Sequence, residues 1–385
     1  MLRFMDAGES HGTGITTIVE GLPYGLPLKT SDIEGELDRR RLGYGRGPRM
    51  ALERDHVEIM SGLRFGITLG SPLALRVRNA EYEKWREVMN SEGERKGDVM
   101  TRLRPGHADL AGVLKYGTRD VRDVLERASA RSTVGRVCAG AAAKALLRYL
   151  DIAVLSHVLT IGSISVQKRE KTPEPDELKQ VDKNSMRCLE PESSALMMEE
   201  IDKASQQGDS LGGIFEVIAY GLPAGLGSHV QWDRRLDGRL SAAVMSIPAV
   251  KGVEIGDGFA LAVMYGSRAG DTIHHSEEKG FYRITNHAGG LEGGMTNGEC
   301  LLIRAAMKPI PTLGKPLDSV DIESKESVKA SVERADTCAV PAAAVIAESA
   351  VAFVLAGALL EKVGGDNIKE IEARYQNLIV RQNDF

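Results

Sequence analysis

The first eighty residues are short apolar and β-branched runs separated by glycines. LRFMDA, the glycine-bounded turn GESHG and then GITTIVEGL read as a β-hairpin. TSDIEGELDRRRLG follows as a short helix, with Thr30 or Ser31 as its cap and Glu34 placed to close a capping box. Residues 57–78 return to β-rich runs, and 81–100 are charged and read as exposed. A Pro-Gly turn introduces a short helical run within 104–117. DVRDVLERASARSTVGRVCAGAAAKALLRYL, 120–150, has the strongest helical pattern in the chain, and its Ala128, Ala130, Gly135, Ala139, Gly140 and Ala143 permit close helix packing.

Residues 167–207 are polar, with Pro173 and Pro175 as breakers before a charged helix-like run to about Gln207. This midsection reads as an insertion in a chain that otherwise forms one domain over 1–385. Residues 208–228 read as loop, strand, loop. VEGLPYGLPL at 19–28 and AYGLPAGLGS at 219–228 share a strand followed by Gly-Leu-Pro-x-Gly-Leu; an internally duplicated sheet unit or coincident turn chemistry would give such an echo. AVPAAAVIAESAVAFVLAGALL, 339–360, carries Glu348 at its middle. A membrane span wants ~20 uninterrupted apolar residues, so a packed core helix is expected here.

Composition narrows the class. With 385 residues, 42% of them apolar, and a mean hydropathy of −0.18, the chain is expected to be soluble and globular with a sizeable core. A net charge of −5 and a pI near 6.0 argue against a nucleic-acid or membrane-surface protein. Cys138, Cys188, Cys300 and Cys338 form no C-x-x-C pair and no zinc spacing with histidine, and MLRFMDAGES has no secretory layout, so a cytoplasmic location is expected.

The turn GESHG matches G-x-S-x-G, the nucleophile elbow of serine hydrolases. That elbow needs an earlier strand and a following helix, whereas only seven residues precede Gly8 and a β-branched run follows. Ser10 is therefore read as capping the turn. His11, at the tip, is either an exposed loop histidine or the group that carries the chemistry. Arg39, Arg40, Arg41, Arg46 and Arg49 crowd one stretch that has no acid from 39 to 52. A solvated basic face, an RNA-binding loop or a pocket for a small polyanion would each use such a run; the interleaved glycines favour the pocket, because they let backbone and guanidinium forks close on carboxylate or phosphate. Arg127 and Arg131, four apart in the helical pattern, are expected on one face and in want of an anion. Neither a P-loop nor a strand-led G-x-G-x-x-G with a downstream acid is present.

AGESHG, RRRLGYGRGPRM, RPGHADL, ERASAR, GLGSHVQWD, SIPAVKGVEIG, GGLEGGMTNG, KPIPT and ERADTCAVPAA run in order from residue 7 to about 345. Together they resemble the chorismate synthase family over nearly the whole chain. That resemblance implies an α+β fold, a layered β-α-β sandwich with helices packed between antiparallel sheets, assembled as a homotetramer. It implies a carbon–oxygen lyase that removes phosphate and a proton from 5-enolpyruvylshikimate 3-phosphate by 1,4-anti elimination, giving chorismate. Reduced FMN is required without net redox change, supplied by an outside flavin reductase with NADPH as indirect reductant. The alternative is a phosphate-ester hydrolase acting through Ser10.

Carried over by motif position, His11 would protonate the departing phosphate, His107 would stabilise the anionic reduced flavin, and Asp336 would relay the proton at its N5. Arg40, Arg46 and Arg131 would clamp substrate anions, with Ser10 as scaffold or a minor phosphate contact. Arg127, Ala128, Ser129, Pro248, Ala249, Gly293, Lys308, Pro309, Ile310, Pro311, Thr312 and Arg334 would hold the flavin. Two positions depart from the family pattern: Ser132 stands where many members have Glu, and Pro248 where many have Asn, which removes a backbone donor.

Overall fold

A computed structural model describes residues 1–47, 54–169, 171–278, 280–332 and 336–385. Arg49 and Arg334 lie outside these described residues. The expected hairpin forms from β1 (Arg3–Ala7) and β2 (Gly14–Glu20), paired antiparallel from Arg3 opposite Glu20 to Ala7 opposite Thr16. β3 (Val57–Ser61) and β4 (Leu73–Arg78) complete a sheet in the order β1-β2-β4-β3. Period-two patterning sets its inner face: Ile15, Thr17 and Val19 of β2 and Leu73, Leu75 and Val77 of β4 are buried, while Ile18 between them is exposed.

A second sheet repeats this plan. β5 (Ala153–Ile161), β6 (Gly213–Tyr220), β7 (Val250–Ile255) and β8 (Leu301–Met307) lie in the order β5-β6-β8-β7, with Ile164–Ser165 added beyond β5. In each half the second strand leads into Gly-Leu-Pro-x-Gly-Leu, and the two turns are tied alike. Leu26 N–H donates to Thr68 Oγ1 (3.0 Å), whose hydroxyl donates to the Pro23 carbonyl (2.6 Å). Leu226 N–H donates to Thr296 Oγ1 (2.8 Å), whose hydroxyl donates to the Pro223 carbonyl (2.6 Å). Matching strand order and matching turn chemistry together make duplication, rather than coincidence, the reading of the sequence echo.

Four helices fill the space between the sheets: α1 (Thr30–Arg41), α4 (Thr133–Tyr149), α6 (Leu236–Met245) and α7 (Val340–Val363). The arrangement is the expected β-α-β sandwich. α7 is long and apolar enough to cross a membrane, but 83% of its apolar window is buried inside the protein, as expected of a core helix. α4 and α7 cross closely: a Cβ on Gly140 would lie 2.2 Å from Ser349 Cβ. Glu348, fully buried at the middle of α7, accepts from Arg39 (2.7 and 2.9 Å), Arg187 (3.0 Å), Lys144 (2.5 Å) and Ser156 (2.5 Å).

Three local expectations change. The helix over 120–150 is broken at Ser129, whose extended backbone (φ −63°, ψ 145°) separates α3 (Arg122–Ala128) from a 3₁₀ turn at 130–132 and then α4. Arg127 and Arg131 therefore do not share a face. The start of α1 is tied not by Thr30, Ser31 and Glu34 but by the Asp32 carboxylate, which accepts from Lys29 N–H (2.8 Å). The polar midsection supplies a helix, α5 (Pro191–Gln206), and sends Met186, Cys188, Met197 and Ile201 into the main core. Its Leu178 and Val181 cover Ile218 on the outer face of the second sheet, and its Arg187 is buried against Glu348.

Candidate functional site

The His11 turn is held from three sides. The buried Glu126 carboxylate accepts from His11 backbone N–H (2.8 Å) and from Nδ1 (3.0 Å), and Arg122 Nη1 donates to the same Oε1 (3.1 Å). Burial by itself would raise the Glu126 carboxyl, but the bonds and charges of His11 and Arg122 outweigh it and lower the pKa. Glu126 is thus ionised near neutrality and Nδ1 carries the proton in that bond, so Nε2 is the nitrogen presented to a ligand. Ser10 is buried; its N–H donates to the Glu126 carbonyl (3.1 Å) and its hydroxyl accepts from Ser129 (3.2 Å). These bonds tie Ser10 into the turn. Asn79 closes the turn by donating to the carbonyls of Glu9 (3.0 Å) and Gly12 (2.8 Å).

Asn79 also joins this turn to the arginines. Its Oδ1 accepts from Arg131 Nε (2.8 Å), and Arg131 Nη1 donates to Asp55 Oδ1 (2.7 Å). Asp55 Oδ2 stands 3.6 Å from Arg40 Nη1, and Arg40 Nε donates to Thr133 Oγ1 (3.0 Å). Arg46 pairs with Asp336 (2.8 Å), whose other oxygen accepts from Gly47 N–H (2.6 Å). Burial, opposed by Asp55 but assisted by the like charges of Arg131 and Arg46, pushes Arg40 down to about 10. Among the described residues, Arg40 Nη1 and Arg46 Nε are buried without a hydrogen-bond partner. An anion would satisfy these donors. Arg39 takes no part: it turns inward to Glu36, Asp182 and Glu348.

The third group is His107. Its Nδ1 lies 2.5 Å from Asp109 Oδ1, and Arg104 Nε donates to Asp109 Oδ2 (2.9 Å). Burial raises the Asp109 carboxyl, but His107 and Arg104 hold it at about 2. Lys308 Nζ donates to the Gly106 carbonyl (2.6 Å), and Lys308 N–H donates to the carbonyl of Ala249, which has a positive φ of 68°. The Ile310 carbonyl accepts from Ser210 Oγ (2.7 Å), Leu211 N–H donates to Thr337 (2.8 Å), and Thr337 N–H donates to Gly45 (2.7 Å). These contacts run from His107 through 308–310 and 210–211 to Asp336 and the arginines. The ring closes where α2 (Asp109–Tyr116) packs on α3, with Gly112 against Val124. Arg127, on α3, donates to the carbonyls of Gly8 (3.3 Å) and Asp6 (3.1 Å). Gly293 sits apart, in a hairpin turn beside His229.

A family model described as chorismate synthase matches residues 2–360. The chain belongs to the chorismate synthase family. A chorismate synthase of Moorella thermoacetica is 57% identical over 375 residues, covering 97% of each chain. One of Aquifex aeolicus is 51% identical over 393 residues, covering 100% of this chain and 99% of that one. A crystal structure of a chorismate synthase superposes with a TM-score of 0.81 at 41% identity, covering 100% of this chain and 99% of the other. Chorismate synthases are phosphate-eliminating carbon–oxygen lyases, and this chain is an enzyme of that class.

Sequence reasoning missed Glu126, Asn79, Asp55 and Asp109. Glu126 and Arg122 stand at i,i+4 spacing, a signal within reach; Asn79 and Asp55 meet Arg131 across 52 and 76 residues of sequence, and no local pattern announces them.

Proposed function

We propose that the ring of loops described above is where phosphate leaves 5-enolpyruvylshikimate 3-phosphate in the elimination that gives chorismate. The observation that carries this reading is a pair of buried guanidinium nitrogens without a hydrogen-bond partner among the described residues, Arg40 Nη1 and Arg46 Nε, in a cluster joined through Arg131 and Asn79 to the His11 turn. A substrate with two carboxylates and a phosphate offers acceptors to such donors. His11 Nε2 delivers a proton to the departing phosphate, with Nδ1 anchored on Glu126. Asp336 relays the proton that the substrate ring loses, and Ser10 holds the turn.

The residues present also fit a flavin. Lys308 and Arg127 offer cations to its phosphate chain, and Ala249, at positive φ beside Lys308, would lie along a flat polar ring edge, which Gly293 would have to join from its separate hairpin turn. Ala128, Ser129, Pro248 and the 309–312 run would complete that surface, with Arg334 from outside the described residues. His107, tied through Nδ1 to Asp109, offers its other nitrogen to the ring. When bound, reduced FMN lends electron density to the substrate without net redox change. An outside flavin reductase, with NADPH as indirect reductant, fits a chain without a dinucleotide motif. Four unpaired cysteines fit a cytoplasmic location. Exposed Phe259, Val263, Tyr265, Ile273 and Ile284 fit burial in a homotetramer of one-domain subunits.

The test is an anaerobic assay with 5-enolpyruvylshikimate 3-phosphate and chemically reduced FMN, following chorismate absorbance and free phosphate together. Equal release of both, absent with oxidised FMN, is expected. Phosphate without chorismate would indicate a phosphate-ester hydrolase instead.

A further inference from the structure

Between Asn79 and Met100 the chain forms a strap with a single turn of helix, Tyr82–Trp85. It is anchored at both ends: Tyr82 N–H donates to the Asn79 carbonyl (3.2 Å), and Val121 N–H donates to the Met100 carbonyl (2.8 Å). The Trp85 indole lies against the His11 ring at a tilt, with centroids 4.4 Å apart and the ring planes at 40°. On Trp85 also sits the Arg122 guanidinium, 4.9 Å from its centroid, and Arg122 shares Glu126 Oε1 with His11. Glu126 holds the Nδ1 edge of the imidazole, and the indole bears on the ring from its side, limiting how far the ring turns about that bond. The cation above the indole fixes the indole in turn.

We propose that Trp85 is a positioning residue for this reaction: clamped by Arg122, it holds the plane of the His11 imidazole so that Nε2 points at the departing phosphate. The proposal rests on reading His11 as the proton donor. Trp85 touches neither the arginine cluster nor the flavin candidates in any contact described above, so its loss is expected in turnover rather than in substrate binding.

The full-length enzyme with reduced FMN provides the test. Trp85→Ala is expected to lower kcat about 10–100-fold while KM changes less than about threefold; Trp85→Phe, which keeps a ring, restores most of kcat, and Trp85→Leu, apolar but flat-less, does not. The chain has two tryptophans, Trp85 and Trp232. In a Trp232→Phe background the remaining emission therefore belongs to Trp85, and His11→Ala is expected to change it by removing the imidazole that lies against the indole. Full kcat in both Trp85→Ala and Trp85→Leu, with His11→Ala inactive, would overturn the positioning role and leave His11 in place. Full kcat in His11→Ala would overturn the reading of His11 itself, and an emission unchanged by His11→Ala would show that the two rings are not in contact.

Discussion

At the scale of single residues, His11 and Ser10 separate two chemistries written in the same pentapeptide. Ser10 is buried and its hydroxyl accepts from Ser129, whereas His11 is bonded through Nδ1 to Glu126. His11→Ala is expected to lower kcat by about 10²–10⁴ with KM little changed, and Ser10→Ala to cost far less; a steady-state assay of the two variants checks both. His107 owes its orientation to Asp109, and that debt is visible in pH. The Asp109 carboxyl is held at about 2 against an ordinary 3.8, so its contribution is complete above 3.8 and fades as pH falls towards 2. The shift corresponds to about 2 kcal/mol. Asp109→Asn is therefore expected to lower the urea midpoint clearly at pH 7 and much less near pH 2.5. Of the site residues that the sequence alone missed, Asp55 and Asn79 meet Arg131 from 76 and 52 residues away, so no window of local pattern holds both members of those pairs, whereas Glu126 meets His11 from 115 residues away but also Arg122 at i,i+4.

At the scale of elements, patterning was legible wherever a face is buried along its length. The hairpin, the β-rich run at 57–78, the helix after Pro-Gly and the apolar α7 all appear where alternation or an apolar run placed them. The break at Ser129 was not legible, because Ala, Ser and Arg on both sides of it are compatible with helix; a local cap, Arg131 N–H donating to Ser129 Oγ, and a tertiary bond, Arg131 Nη1 donating to Asp55, decide the turn instead. The two Gly-Leu-Pro-x-Gly-Leu turns were visible in the sequence, but their meaning came only with Thr68 and Thr296, which stand 45 and 73 residues from the carbonyls they bind. Helix packing gives a paired prediction. Gly140→Ala would drive a methyl to within 2.2 Å of Ser349 Cβ and 2.5 Å of its Cα, so α4 and α7 must separate; a loss of about 1–3 kcal/mol is expected. Gly35→Ala, inside α1 with nothing within 4 Å of the new methyl, is expected to gain about 0.5–1 kcal/mol. Urea midpoints that move in opposite directions would check the pair.

At the scale of the whole molecule, the buried carboxylate at the centre of α7 joins the core to the site. Glu348 receives Arg39 from α1, Lys144 from α4 and Arg187 from the polar midsection, so three separate parts of the chain meet on one side chain. Burial would raise its pKa, but the charges of Arg39, Lys144 and Arg187 overcome this and hold it well below the ordinary carboxylate range. By the same linkage its contribution is complete above the ordinary carboxyl value and would be lost only as pH falls through the lowered one, so the network stays ionised until acid unfolding. Arg39 and Arg40 are neighbours on α1 and face opposite ways, one bonded in pairs to Glu348, the other aimed at Asp55 and the anion site. Fixing Arg39 therefore fixes the last turn of α1 and, through it, Arg40. Removing only the charge, with Glu348→Gln, leaves Arg39, Lys144 and Arg187 facing Glu36 and Asp182. Stripping one partner from a buried network costs about 3–5 kcal/mol, so a large drop in the urea midpoint is expected. If α1 transmits the loosening, KM for 5-enolpyruvylshikimate 3-phosphate rises by up to about tenfold, equal to ~1.4 kcal/mol of binding, while the His11-dependent step keeps its rate. A variant with the lowered midpoint and an unchanged KM would confine the network to holding the layers together, with Arg40 placed by Thr133, Ala130 and Asp55.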